Sequence, residues 1–311
     1  MVISAQTGAD LHLEAKTFTA SEGQEVLAES GYLIVKENRA DPSSADIELR
    51  FVRLKSTAEN PGAPLVYLEG GPGASSTWMV NRDWALDRWL PLLTHGDVIL
   101  LDQRGTGASA DRLTYINMAN PDADILTSQQ AAMDFTRAMV APAKAAWEAA
   151  GVDYQGYTTM ASAKDLDDLR MAMDLEQISI MGFSYGTHLG QAYLKYYGAF
   201  VDKAILIGVE GLDDTYKLPH VMDAQFRKIS AMAAADPELG VAMPDLVASY
   251  QKVAAKLEQT PVPVAVTSPL TGEEFTLKIG KFGLDLMMFY DLGDATDIPV
   301  IPYLIHSIDA G

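Results

Sequence analysis

The run Gly182-Phe183-Ser184-Tyr185-Gly186 lies between an apolar segment, 177–182, and a stretch with helical spacing, and this junction constrains the fold more than any other part of the chain. A strand that becomes a helix within so few residues forces its central serine into a strained backbone conformation. The positions two either side must lack bulk, because strand and helix nearly touch there. Such a turn lifts the serine hydroxyl clear of the sheet, where a base and a substrate can reach it. The pattern therefore predicts Ser184 as a nucleophile. Downstream, Leu189, Ala192, Tyr193, Tyr196, Tyr197 and Phe200 recur at helical spacing and predict one buried helix face.

Similar units flank the junction. Residues 31–38 and 47–54 read as strands, separated by the turn cluster 40–46. Residues 64–70, 97–103 and 203–209 read as short buried strands. Helical patterns occupy 83–94 and 127–150, and a helix is predicted to open at Ser162, with Asp165 completing a capping box. Residues 1–30 are weakly patterned and read as an arm or short extra strands. Apolar strands alternating with helices predict an α/β fold, a mostly parallel sheet with helices on both faces. After about residue 215 the character changes. Helices are expected over 219–235 and 244–258, then a hairpin over 261–280 with Thr271-Gly272 in its turn, then more helix. The expected division is a core of residues 1–215 and an α-rich cap insertion of residues 216–311, placed over the sheet's C-terminal edge.

Two glycine-rich turns follow strands. In Glu69-Gly70-Gly71-Pro72-Gly73, glycines would let the backbone approach a substrate carbonyl. The Gly71 N–H is one predicted oxyanion donor and the Tyr185 N–H, just after the nucleophile, the other. A cis Gly71-Pro72 peptide is expected in so tight a turn. A phosphate loop is excluded, since no Lys-Ser or Lys-Thr follows at the required spacing. In Asp102-Gln103-Arg104-Gly105-Thr106-Gly107, the glycines mimic a dinucleotide fingerprint, but the polar residues that follow lack helical periodicity. A structural turn pinned by Asp102 and Arg104 is the better reading.

Together and in this order, LEGGPGASS, LDQRGTGAS and MGFSYGT resemble the corresponding segments of the proline iminopeptidase and tripeptidyl aminopeptidase family. The resemblance covers roughly residues 30–215 well and the helical block less specifically. It implies an α/β-hydrolase core with an α-rich cap after the sixth strand, 203–209. It also implies release of residues or short peptides from a free N-terminus through an acyl-enzyme on Ser184. Peptides or small acyl compounds would be the substrates, with no cofactor and no metal. The family often has His before GGPG; here Glu69 stands instead, which leaves a backbone oxyanion role intact but weakens any substrate assignment. Its amine anchors are carboxylates of the cap and its neighbourhood, which makes Glu210, Asp213 and Asp214 candidates; a solvated acidic loop is the competing reading. An esterase on the same scaffold, or a non-catalytic binding protein that keeps the fold, are the rival functions.

Composition narrows the partners. A formal net charge of −19 disfavours phosphate backbones and anionic lipid surfaces, so neither nucleic acid nor membrane is expected. The chain has no cysteine, which removes disulfides, thiolate metal sites and a cysteine nucleophile. No basic-then-apolar leader is visible at the N-terminus, and a chain beginning after a removed signal would read the same. Of the five histidines, His12, His95, His188 and His306 are poorly placed to serve Ser184, and His220 is the one that follows the sixth strand near the expected site. In the family the acid and the His come after the cap, beyond Gly311. The expectation is therefore a chain that is not self-sufficient, in which the apolar strand 203–209 needs an outer neighbour. That neighbour would be a further C-terminal segment, a second chain carrying it, or an association at this edge.

Overall fold

The computed structural model describes residues 2–4, 10–113, 120–213, 218–268 and 271–310. The chain divides into two compact units, one of residues 1–114 and 146–215, the other of 115–145 and 216–311. Residues 115–145, assigned to the core by sequence, belong with the second unit. Backbone hydrogen bonds account for this: Lys278 N–H donates to the Ala123 carbonyl at 2.7 Å, and the amides of Gly280 and Gly283 donate to that of Leu126 at 3.1 and 2.9 Å.

The first unit is built on eight strands: β1 (Val2–Ser4), β2 (Asp10–Thr19), β3 (Glu25–Lys36), β4 (Asp46–Leu54), β5 (Leu65–Leu68), β6 (Val98–Leu101), β7 (Ile178–Phe183) and β8 (Val201–Ile207). Their order across the sheet is β1-β2-β3-β4-β6-β5-β7-β8. Strands β6, β5, β7 and β8 run parallel, and β1 to β4 form an antiparallel meander joined antiparallel to β6. The antiparallel part is longer than the sequence predicts, because residues 10–36 form a hairpin that turns at Gly23 with φ +80°. Its alternation is faint because outward residues such as Leu27 are apolar yet exposed.

Helices cover both faces. On one face α1 (Asp83–Leu86), α2 (Leu90–Leu93) and the break between them contribute Leu86, Leu93 and Trp89 to a core with Val52, Leu54, Val98 and Leu100. They replace the single helix expected over 83–94. The chain breaks between them, and α2 restarts with Pro91 in its first turn, which as an interior residue of one long helix would have removed a hydrogen bond. On the other face α4 (Thr159–Ala172) and α5 (Tyr185–Tyr197) pack Leu166, Leu169, Leu189 and Tyr193 against Leu33, Leu49, Val66 and Ile180. Of the expected buried face, Leu189, Ala192 and Tyr193 of α5 are buried, whereas Tyr196 and, past the helix end, Phe200 are exposed. Between α2 and α4 lies α3 (Gln129–Ala149).

Strand β8 closes the sheet on one side. Its apolar run read as buried on both faces, but Ile205 and Ile207 are each 44% exposed and Val209 beyond them 62%. Among the described residues β8 pairs with β7 and with no outer strand.

The second unit contains α6 (Pro219–Ala235), α7 (Leu239–Ala242), α8 (Leu246–Gln259), α9 (Lys281–Asp291) and α10 (Val300–Ala310), with the hairpin of β9 (Val262–Thr267) and β10 (Glu274–Ile279). The hairpin forms its own two-stranded sheet, in register from Val262–Ile279 to Thr267–Glu274, as expected. Ile229, Leu246, Val253, Leu257, Leu284, Ile301 and Ile305 make the unit's core. No helix among the described residues is long and apolar enough to cross a membrane.

Candidate active site

Ser184 sits between β7 and α5 with φ +52° and ψ −122°, a conformation that strongly disfavours a side chain. The surrounding structure holds it there. Its N–H donates to the Ile207 carbonyl of β8 at 2.9 Å, and its carbonyl accepts from the Thr187 amide and hydroxyl at 2.8 and 2.7 Å. The two flanking glycines are demanded by contact. A Cβ on Gly186 would lie 1.9 Å from the Leu68 carbonyl oxygen, and one on Gly182 would lie 2.5 Å from that of Gly186.

The Glu69-to-Gly73 loop leaves β5 beside this turn. A Cβ on Gly70 would lie 2.9 Å from the Phe183 carbonyl oxygen and 3.0 Å from Ser184 Cβ, so the loop backbone runs against the serine itself. Gly71 follows at φ +117°, and the Gly71-Pro72 peptide is cis as expected. Tyr185 is the first residue of α5, where an N–H has no partner within the helix. Its phenol exchanges a hydrogen bond of 3.0 Å with the Thr159 hydroxyl.

The serine hydroxyl donates to Glu210 Oε1 at 3.2 Å. Two residues of α5 hold Glu210 there: its N–H donates to the Thr187 hydroxyl at 2.8 Å, and its carbonyl accepts from Gln191 Nε2 at 2.6 Å. Gly208, with φ +66°, bends the chain back after β8 to make this contact. Glu210 was one of three acidic candidates in the sequence, whereas Thr187 and Gln191 were not among the predicted site residues. Their signal was present, since both lie on the helix face that begins at Ser184. Asp213 is exposed, and Asp214 lies outside the described residues.

No imidazole hydrogen-bonds Ser184 among the described residues. His188 is turned to the Gly211 carbonyl, which lies 3.3 Å from its Nδ1. His12 stacks on Tyr32, His95 lies in the turn before β6, and His220 and His306 are exposed on α6 and α10.

Behind the loop, Asp102 is fully buried and gathers five donors from two turns: the amides of Ser76, Thr77 and Ala108 at 2.7–2.9 Å, and the hydroxyls of Ser75 and Thr77 at 2.9 and 2.6 Å. Arg104 is equally enclosed. It forks onto Asp165 at 2.6 and 2.7 Å and donates to the carbonyls of Glu37 and Gly156. This confirms a structural turn at Asp102 and Arg104. It also corrects the role of Asp165, which is not the third residue of a capping box. The helix begins three residues before Ser162, with Thr158 accepting from the Ala161 amide, and Asp165 is the buried counter-ion of Arg104 and Arg39.

A serine held at positive φ between a parallel strand and a helix, beside a glycine turn from the neighbouring strand, defines an α/β-hydrolase centre. The chain belongs to the alpha/beta hydrolase fold family, whose model matches residues 63–282. It is 31% identical to a tripeptidyl aminopeptidase of Streptomyces coelicolor over 173 residues, covering 52% of this chain and 31% of that protein. It is 29% identical to the serine protease Hip1 of Mycobacterium tuberculosis, covering 57% of this chain and 35% of that one. A probable proline iminopeptidase of Streptomyces coelicolor is 28% identical, over 49% of this chain and 35% of its own length. The chain spans about a third of the length of these curated relatives.

Proposed function

We propose that the whole protein is a serine aminopeptidase, in which Ser184 attacks the carbonyl next to a free N-terminus. The Ser184 Oγ–carbon bond forms, the scissile C–N bond breaks, and the hydroxyl proton leaves with the departing amine by way of a base. Water then releases the acyl group from Ser184. The amides of Gly71 and Tyr185 receive the carbonyl oxygen as its negative charge develops. The names of the curated relatives support a peptide substrate.

The contact between Ser184 and Glu210 at 3.2 Å carries the reading further. An α-ammonium is two bonds from its own carbonyl carbon, about 2.5 Å away by ordinary backbone geometry. A carboxylate touching the nucleophile is thus within reach of the ammonium of the very residue being acylated. The ammonium of a tripeptide would lie two residues further out, roughly 7 Å away in extended chain. The position of Glu210 therefore supports release of single N-terminal residues.

The base and its orienting acid are proposed to come from outside these 311 residues, on a further segment or a second chain. The exposed flank of β8 and the lack of an imidazole on Ser184 among the described residues support this. The test is turnover by the full-length gene product of aminoacyl, tripeptidyl and N-acetylated anilides and of simple esters. Preference for aminoacyl anilides supports the reading, preference for tripeptidyl anilides moves the amine anchor away from Glu210, and ester turnover alone overturns the peptidase assignment.

A further inference from the structure

Glu69 is a buried acid, 8% exposed, set in the loop that runs against the nucleophile. Both carboxylate oxygens and the backbone carbonyl are engaged. Oε1 accepts from the Gly70 amide at 2.8 Å, Oε2 accepts from the Tyr67 hydroxyl at 3.2 Å, and the backbone carbonyl accepts from Gln103 Nε2 at 3.0 Å. Burial, with the Glu69 carboxylate beside it, raises the Tyr67 phenol above its usual range, which keeps Tyr67 a donor. Tyr67 is itself fixed edge-on against Trp89, at 4.9 Å between ring centroids.

This arrangement bears on the amides that follow. Gly70 runs against Ser184 and Gly71 follows it at φ +117°, so two consecutive N–H groups leave the strand here, and a turn with two glycines has the freedom to present either. The carboxylate takes the first. We propose that Glu69 is a positioning residue for the oxyanion loop: by binding the Gly70 amide and anchoring to Tyr67, it fixes the turn so that the Gly71 amide is the one presented at Ser184. Glu69 touches no substrate in this account, and the proposal rests on the serine-hydrolase reading of Ser184. A carboxylate so near a developing oxyanion would oppose catalysis by its charge. Its retention follows if its hydrogen bonds fix the turn and its charge is offset by donors on both oxygens.

The experiment uses the full-length protein with Glu69→Ala, Glu69→Gln and Tyr67→Phe, measured for kcat, KM and inhibition by an aminoacyl aldehyde. The aldehyde is captured when Ser184 Oγ bonds to its carbon, the hydroxyl proton passes to the base, the C=O π bond opens and its oxygen enters the oxyanion site. Glu69→Ala is expected to lower kcat about 10- to 100-fold and weaken the aldehyde in proportion, since removing one oxyanion donor outright costs about 100-fold or more. KM should stay within about twofold, because ground-state binding does not use the site. Glu69→Gln, whose amide oxygen still accepts from Gly70, should recover most of the loss. Should Glu69→Ala not accumulate as folded protein, Tyr67→Phe decides, with a smaller fall in kcat at unchanged KM. Unchanged kcat in these variants, or kcat and KM damaged together with no rescue by glutamine, overturns the role of Glu69 alone. A wild-type protein that neither turns over substrate nor captures the aldehyde overturns the serine-hydrolase reading and this role with it.

Discussion

The hydroxyl of Ser184 and the carboxylate of Glu210 share a hydrogen bond of 3.2 Å, although 26 residues separate them in the chain. Thr187 and Gln191 hold the acid from the helix that carries the serine, so hydroxyl and carboxylate are set by one rigid element. As an ammonium acceptor, Glu210 would contribute to binding more than to bond breaking. Glu210→Gln is expected to raise KM for free-amine substrates roughly 10- to 100-fold, the worth of one charge-assisted hydrogen bond. Turnover at saturation should change little, and N-acetylated substrates should not distinguish the two proteins. A collapse of kcat at constant KM would instead make Glu210 part of the proton path.

Gly186 is required by contact more than by flexibility. A methyl group there would sit 1.9 Å from the Leu68 carbonyl oxygen, which belongs to a central strand and cannot move aside. Gly186→Ala is expected to lower stability by about 3 kcal/mol or more, at the upper end of overpacking effects. Urea denaturation followed by circular dichroism measures this directly. A midpoint within error of wild type would mean that β5 and α5 can separate.

Asp102 presents two oxygens to five donors and meets no cation among its hydrogen-bond partners. Asn at this position keeps one acceptor and sets an NH₂ group against donors. The expected loss for Asp102→Asn is about 2–4 kcal/mol, from several weakened bonds and at least one buried unsatisfied amide. Because the network ties the turn after the oxyanion loop to that after β6, activity should fall before the protein unfolds. Parallel measurements of turnover and the urea midpoint would separate the two effects.

The parts of this site that local chemistry dictates were legible in the sequence. Glycines at 182 and 186 around Ser184 announce a tight strand-to-helix turn, and the backbone at Ser184 is strained as such a turn requires. Asp102 and Arg104 were readable as turn anchors, but their partners were not. Asp165 has the spacing of a capping box from Ser162, and no local rule distinguishes that from a buried partner for Arg104, 61 residues earlier. Residues 127–150 read as a helix, but nothing local showed that Ala123 and Leu126, just before it, bond through their carbonyls to residues 278–283. The nearness of Glu210 to Ser184 depends on the left-handed bend at Gly208, which a glycine permits and does not impose.

The central claim is that Ser184 is the nucleophile. Its most direct test is a fluorophosphonate probe applied to the full-length protein and to Ser184→Ala, with peptide mapping by mass spectrometry. One phosphonylated peptide is predicted, carrying Ser184, and no labelling in the variant, whose circular dichroism should match wild type. Turnover in the variant should fall by a factor on the order of 10⁶. Labelling at another residue, or a folded Ser184→Ala protein that retains more than a few per cent of wild-type turnover, would contradict it.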